Sequence, residues 1–202
     1  MKRIFDVVVS ASALLLAAPF LLAIGACIRG EDGGPALFRQ QRIGRNGRTF
    51  RILKFRTMRV GAGGPAITAA GDSRVTRVGA RLRRWKLDEL PQLWNVLRGD
   101  MSLVGPRPEV PEYVALYPED ARALLTVRPG ITGPAQLLGL DEEEELSGVS
   151  DPERFYREVV LPRKLEIDLR YARDASLTAD LRVLLQTLRQ VVFRPEGASD
   201  AR

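Results

Sequence analysis

The sequence predicts a mixed α/β (α+β) protein, an N-terminal membrane helix followed by one compact domain. Three observations carry this reading. The run "VVVSASALLLAAPFLLAIGACI", Val7 to Ile28, holds no charged residue. An Asn46-Gly47 turn signal sits between two alternating stretches, the signature of a β-hairpin. Further on, apolar residues recur at helical spacing in separate segments, and no internal repeat is present. The expected division is an anchor over 1–30 and a catalytic or binding domain over 31–202.

At 202 residues, with 45% hydrophobic and 28% charged residues, the chain can bury a real core. A net charge of +6 asks for an anionic partner: nucleic acid, an acidic membrane surface or a phosphorylated substrate. Aromatics make up only 6%, and no basic stretch is interleaved with stacking rings, which disfavours single-stranded nucleic acid. The chain has no histidine, which removes the Ser-His-Asp triad, His-based zinc sites and imidazole bases. Its one cysteine, Cys27, removes an internal disulfide and any Cys-rich zinc site. Chemistry is left to Asp, Glu, Lys, Arg, Ser, Tyr or a hard metal ion.

The 22 residues of the first apolar run would form a helix of ~33 Å, enough to cross a bilayer core of ~30 Å. Three readings compete. A spanning helix ranks first on composition, although Pro19 removes a donor and frees the Leu15 carbonyl. A re-entrant helix would bend at Pro19 and return to the same face. Both flanks are basic, with Lys2 and Arg3 before it and Arg29, Arg39 and Arg42 after it. A cleaved signal is the third reading, since "IGAC", Ile24 to Cys27, resembles a lipoprotein cleavage box. That reading makes the chain a lipid-anchored, non-enzymatic binding protein cleaved before Cys27.

"ALFRQQRIGRNGRTFRILKFRTM", Ala36 to Met58, is the hairpin. Period-two alternation puts Phe50, Ile52, Lys54 and Arg56 on one face, so Lys54 and Arg56 could project together as a phosphate clamp. A strand end whose basic residues meet water is the plainer reading. Val60 to Gly71 is Gly/Ala-rich and predicts a loop. "RVTRVGARLRRW" predicts a helix with Val78, Leu82 and Trp85 on one face and arginines on the other.

In "KLDELPQLWN", Lys86 to Asn95, two acids stand side by side. Leu90, Leu93, Trp94 and Leu97 predict a helix, with Asp88 as N-cap, Pro91 in the first turn and Gly99 as the stop. Asp88 and Glu89 then lie at a helix N-terminus, where the dipole keeps a carboxylate ionised. Capping alone would explain Asp88. Pro106 and Pro108 stiffen the chain around Arg107, whose planar fork suits phosphate. "VRPGITGP", Val127 to Pro134, predicts another turn, with Arg128 a second phosphate candidate. Asp141 to Glu145 predicts a solvated acidic loop, and Leu177, Leu181, Leu184, Leu185 and Leu188 a stripe packed on the core.

Together these stretches resemble the bacterial sugar transferase family, the small monotopic polyprenol-phosphate phosphoglycosyl transferases. The matching residues are "KRIFD" (Lys2 to Asp6), "KFRTM" (Lys54 to Met58), "DSRVTRVGARLR" (Asp72 to Arg83), "LDELPQLWNVLRGDMSLVGPRPE" (Leu87 to Glu109) and "RPGITG" (Arg128 to Gly133). The resemblance implies an enzyme on the cytoplasmic face of the bacterial inner membrane, anchored in the phospholipid bilayer by a re-entrant helix. It would move a phosphosugar from a UDP-sugar to a polyprenol phosphate, release UMP and need Mg²⁺. It implies Asp88 as nucleophile and Glu89 as its partner, both near the metal. Lys54, Arg56, Arg107 and Arg128 are the phosphate-binding candidates. No nucleic acid is expected as partner, and a homo-oligomer is compatible with the resemblance. Two positions depart from the family pattern: its Ser-Pro helix break is Ala18-Pro19 here, and "PAQLLGL" after "RPGITG" lacks the usual Asn-Gly-Arg. The chemistry is self-consistent: a carboxylate can attack phosphorus without imidazole, and Mg²⁺ takes oxygen ligands and substrate phosphates.

Overall fold

A computed structural model describes residues 1–63, 71–138, 145–146 and 149–193. The first apolar run belongs to a single helix, α1 (Lys2–Asp32), unbroken through Pro19 and closed by Gly33 in the left-handed region. At 31 residues it is ~46 Å long. Both of its ends are tied to the rest of the chain. At the start, Arg3 donates to the carbonyls of Val96 (2.6 Å) and Leu97 (2.9 Å). Buried Asp6 accepts from Ser102 Oγ (2.9 Å) and Leu103 N (3.2 Å). At the other end Asp32 pairs with Arg56 and Glu31 accepts from Arg77 N (2.9 Å). Between them one stripe is inward while Leu15, Leu16 and Leu22 are more than three-quarters exposed.

The hairpin forms as expected, β1 (Leu37–Ile43) antiparallel to β2 (Thr49–Phe55), with Arg42 opposite Phe50 and Phe38 opposite Lys54. Asn46 and Gly47 both have positive φ, 58° and 71°, and Arg48 N closes the turn on Arg45 O (3.3 Å). The connection is nevertheless longer than two residues, because Gly44 N also bonds Arg48 O (2.8 Å).

Helix α2 (Arg77–Arg84) is capped by Thr76 Oγ1, which accepts from Gly79 N. It lies so close to the strand exit that a Cβ on Gly79 would sit 2.1 Å from the Thr57 carbonyl. Val78 and Leu82 face inward, but Trp85 follows the helix and is half exposed, so the expected three-residue face ends at Leu82. Helix α3 (Gln92–Arg98) ends at Gly99, whose φ is 90°. "RPGITG" is not the turn its sequence suggests: Gly130–Thr132 forms β4, parallel to β3 (Ser102–Val104). The strands approach so closely that a Cβ on Gly130 would meet Gly105 N at 2.1 Å, which explains the glycines.

Helices α4 (Leu161–Arg173) and α5 (Leu177–Val192) complete the chain. One core joins α1 (Phe5, Val9, Ala13, Leu14) to α3, β2 and β3; a second joins Leu21, Ile24 and Ile28 to Phe55 and α2; a third lies under α4. The leucine stripe of α5 packs only in part: Leu184 joins the core and Leu177 is half-buried. Leu181, Leu185 and Leu188 are 40%, 67% and 61% exposed, while Asp180 and Val183 are buried. The inward face is partly polar: Asp180 accepts from Lys2 and from the Tyr171 hydroxyl, so this face carries Asp180, Val183 and Leu184, and the other leucines are left outside it. The predicted acidic loop falls outside the described residues except for Glu145, which pairs with Arg163. Of the Gly/Ala-rich loop, 64–70 fall outside them too.

Asp168 on α4 is 4% exposed, and among the described residues its Oδ1 has no hydrogen-bond partner. Burial pushes its carboxyl up to about 7, with Lys164 pulling the other way. A raised folded-state pKa stabilises the fold most below the unfolded value near 4, and this contribution is lost as pH climbs to 7. Asp168→Asn removes the titration. The variant should gain roughly 2–3 kcal/mol relative to the parent between pH 5 and pH 8, read as the pH dependence of urea midpoints.

Candidate active site

Lys86 adopts φ 54°, ψ 21°, a left-handed conformation rare for a lysine, and turns the chain into a short 3₁₀ turn, Leu87–Glu89. The turn, not α3, carries both acids. Asp88 is therefore not the N-cap of α3; Pro91 occupies that place and no side chain caps it. The adjacent acids face different surroundings. Glu89 Oε1 accepts from Lys54 Nζ (2.8 Å) and from Arg107 Nη2 (2.9 Å). Asp88, 8% exposed, receives no hydrogen bond from any described residue.

Three elements deliver these groups. Asn95 of α3 pins β2 through its side chain, accepting from Leu53 N (3.0 Å) and donating to Arg51 O (2.8 Å), which sets Lys54 opposite Glu89. The proline-flanked loop is held from the hairpin: Arg42 donates to Pro108 O (3.0 Å), and Ile43 N donates to Glu109 O (3.0 Å). It is held from α4 as well, since buried Glu109 accepts from Lys164 (2.6 Å) and from the Tyr156 hydroxyl (2.7 Å). Arg83 of α2 donates to Thr57 Oγ1 (2.9 Å) and, with Lys54, contributes positive potential at Asp88.

The electrostatics separate the acids. Burial opposes charge on Glu89, but Arg107 and Lys54 outweigh it and hold the carboxyl well below the usual range. Burial pushes Asp88 up; Lys54 counters this, while the Glu89 charge adds to the rise. Burial also lowers Lys54, against the pull of Glu89. Glu89 is thus a fixed anion, and Asp88 is a more basic carboxylate with free lone pairs.

Of the candidate residues, Lys54, Asp88, Glu89 and Arg107 come together. Arg56 does not join them. β2 ends at Phe55, so alternation no longer governs residue 56, and the buried Arg56 guanidinium is spent on Asp32 and the Pro35 carbonyl (2.7 Å). Arg128 is also elsewhere, its Nε donating to Gly99 O (3.0 Å) beyond the far end of α3. Sequence reasoning assigned no role to Arg83, Asn95, Lys164 or Tyr156; only Glu109, at the end of the quoted "GPRPE", carried a signal.

The donor set at the acids suits a hard cation. No described group of three or more His, Cys, Asp or Glu could cage a metal. Asp88 has free oxygens, and the hydrogen bonds to Glu89 fall on Oε1, leaving Oε2. One or two carboxylates completed by substrate phosphate and water is the usual Mg²⁺ arrangement.

Arg56 and Arg107 should separate experimentally. Arg56→Gln leaves a buried side chain without its partner Asp32 on α1 and the Pro35 carbonyl, and should lower the unfolding temperature without touching the acid pair. Arg107→Gln removes the larger of the two cations that hold Glu89 charged, so its loss of stability should grow with pH above the ordinary carboxylate range, whereas that of Arg56→Gln should not. Thermal unfolding of both variants across pH measures the difference.

Residues 1–194 match the family model for bacterial sugar transferases. A UDP-glucose:undecaprenyl-phosphate glucose-1-phosphate transferase of Caulobacter vibrioides is 46% identical, with 93% of this chain and 68% of the relative aligned. An undecaprenyl-phosphate glucose phosphotransferase of Komagataeibacter xylinus is 40% identical over 95% of this chain and 36% of its own length. An exopolysaccharide production protein of Rhizobium leguminosarum is 39% identical over 98% of both chains. The match runs through the site described above, from the acid pair to the proline-flanked arginine, and the chain belongs to the bacterial sugar transferase family.

Proposed function

We propose that this chain is a phosphoglycosyl transferase that moves a phosphosugar from a UDP-sugar to a polyprenol phosphate, as undecaprenyl phosphate is used by its named relatives, and releases UMP. This would be the first membrane step of glycan assembly. The observation that carries the reading is the asymmetric acid pair: Glu89 neutralised by Lys54 and Arg107, Asp88 buried beside it with its oxygens free.

In the proposed reaction an Asp88 carboxylate oxygen attacks the sugar-bearing phosphorus. The bond from that phosphorus to the bridging oxygen breaks, and UMP leaves with the electron pair. The acyl phosphate formed on Asp88 is then attacked by an oxygen of the polyprenol phosphate; the Asp88 oxygen–phosphorus bond breaks, giving a diphosphate-linked sugar and free carboxylate. Lys54 and Arg107 lie where they can neutralise charge on the transferring phosphoryl group. Mg²⁺, held by Asp88 and Glu89, would supply further charge neutralisation on the diphosphate. A direct transfer would require Glu89 as general base, but a carboxylate held far below the working pH is a poor base.

The membrane placement rests on α1. Its two ends are bound to the same domain, so a helix with its ends on opposite faces does not fit these contacts. Because α1 is unbroken through Pro19, the expected return bend there is not formed, and the helix would instead lie along the membrane face with its domain on the cytoplasmic side. Its exposed apolar face would lie in lipid.

The covalent step is tested without acceptor lipid. UDP-sugar and Mg²⁺ alone should release UMP in at most one equivalent per site, and peptide mass spectrometry should find Asp88 heavier by one phosphosugar. Asp88→Asn should lose adduct and turnover together. Enzyme that turns over with lipid present yet gives no burst without it would exclude the aspartyl intermediate.

The acid limb of kcat/KM reports Asp88, which must be ionised to attack. Activity should fall as pH drops through a value above the ordinary aspartate range. Lys54→Met removes the main pull towards lower pKa, so the limb should move to higher pH. Arg107→Lys keeps charge but loses the planar fork, and kcat/KM should drop about tenfold or more.

A further inference from the structure

A second basic feature takes no part in the site around Glu89. Arg45, Arg48, Arg98 and Arg128 line an open depression of about 400 Å³ between the hairpin turn and the Gly99–Asp100 corner. Its single acid, Asp100, lies 3.6 Å from Arg98. Two of the guanidinium groups are fixed through Nε alone: Arg45 on Thr126 O (2.9 Å) and Arg128 on Gly99 O (3.0 Å). No other side-chain hydrogen bond to a described residue engages Arg45, Arg48 or Arg128, so their terminal nitrogens remain for a ligand. A guanidinium anchored in this way presents a planar fork to phosphate. Three arginines elsewhere on the helical surface each have an acid one turn away instead: Arg154 with Glu158, Arg157 with Glu153, Arg170 with Glu166. Like charges gathered in one depression repel, and a bound anion offsets that repulsion.

The depression is separate from the catalytic acids. It adjoins Thr49 and Phe50, whereas Lys54 lies at the other end of β2, roughly 16 Å away at the usual rise per residue. A diphosphate gripped by Lys54 and Arg107 does not reach it. Its rim instead borders the start of α1: a Cβ on Gly99 would lie 3.3 Å from the Arg3 guanidinium. The neighbouring Ile4 and Val8 are 70% and 57% exposed, the beginning of the apolar face of α1.

We propose that Arg45, Arg48, Arg98 and Arg128 form a second anion site that takes the phosphate of an anionic lipid headgroup, an inference that rests on the membrane-bound reading of α1. Occupation would hold the hairpin turn and the far end of α3 at headgroup level while α1 sits in the acyl region.

The test uses the full chain in neutral detergent micelles doped with phosphatidylglycerol or phosphatidylcholine, or with inorganic phosphate in the buffer. Hydrogen–deuterium exchange is read on peptides covering 44–50 and 126–130, with UMP release assayed on the same samples. Phosphatidylglycerol should slow exchange there and phosphatidylcholine should not. Arg45→Gln/Arg48→Gln should raise the phosphatidylglycerol concentration required by about tenfold or more. If the double variant does not fold, Arg98→Gln, whose side chain is 65% exposed, should show the same direction of change. Equal protection by inorganic phosphate at matched concentration overturns the lipid assignment. Absence of protection in enzyme that still releases UMP overturns the site and leaves the transferase reading standing. Protection in protein without turnover supports the site and counts against the transferase reading alone.

Discussion

Everything around the acid pair depends on one oxygen atom. Glu89 Oε1 is shared by Lys54 and Arg107, and those three residues come from the hairpin, the 3₁₀ turn and the proline-flanked loop. A carboxylate this deeply placed would protonate if left alone, because burial disfavours its charge. Two cations keep it charged, and each cation is in turn kept in place by Glu89. The ion triad therefore helps fix the relative position of the three segments, beside the hydrogen bonds by which the hairpin holds the proline-flanked loop.

Such a triad works only if its members cannot swing away. Asn95 supplies the rigid link on one side by bonding the β2 backbone at Leu53 and Arg51. Glu109 supplies it on the other, anchored by Lys164 and Tyr156 two residues beyond Arg107. The prolines at 106 and 108 restrict the loop between these anchors. Asp6, through Ser102 and Leu103, carries the same rigidity back to α1, so the long apolar helix and the site form one mechanical unit.

The sequence was legible where local rules act alone. The hairpin, its left-handed Asn46-Gly47 pair and the Gly99 stop follow from turn and cap chemistry, and each is found in place. The four residues around Glu89 were recognisable from their motifs. What escaped was long-range. Arg56 lies one residue past the strand, where alternation stops and Asp32 of α1 claims it. Leu181, Leu185 and Leu188 of α5 face outward because the pair between residues 2 and 180 sets which side of the helix is buried. "RPGITG" reads as a turn because a three-residue parallel strand has no periodicity of its own. The network of Arg42, Glu109, Tyr156 and Lys164 joins three distant segments, and no spacing rule connects them.

The left-handed Lys86 explains why two neighbouring acids are not equivalent. Had the chain entered α3 directly, Asp88 would have become a cap, its oxygens occupied by backbone N–H groups and its pKa lowered. The φ of 54° at Lys86 instead places a separate 3₁₀ turn before the helix, and Pro91 takes over the N-cap position without needing a side-chain acceptor. Glu89 then turns towards Lys54 and Arg107, while Asp88 is buried with no hydrogen-bond donor among the described residues. The backbone strain at Lys86, of order 1–2 kcal/mol, thus goes with a carboxylate that is partly desolvated, surrounded by positive potential and free to form a bond. A cap residue would have its oxygens occupied by backbone N–H groups, which is what the proposed role of Asp88 rules out.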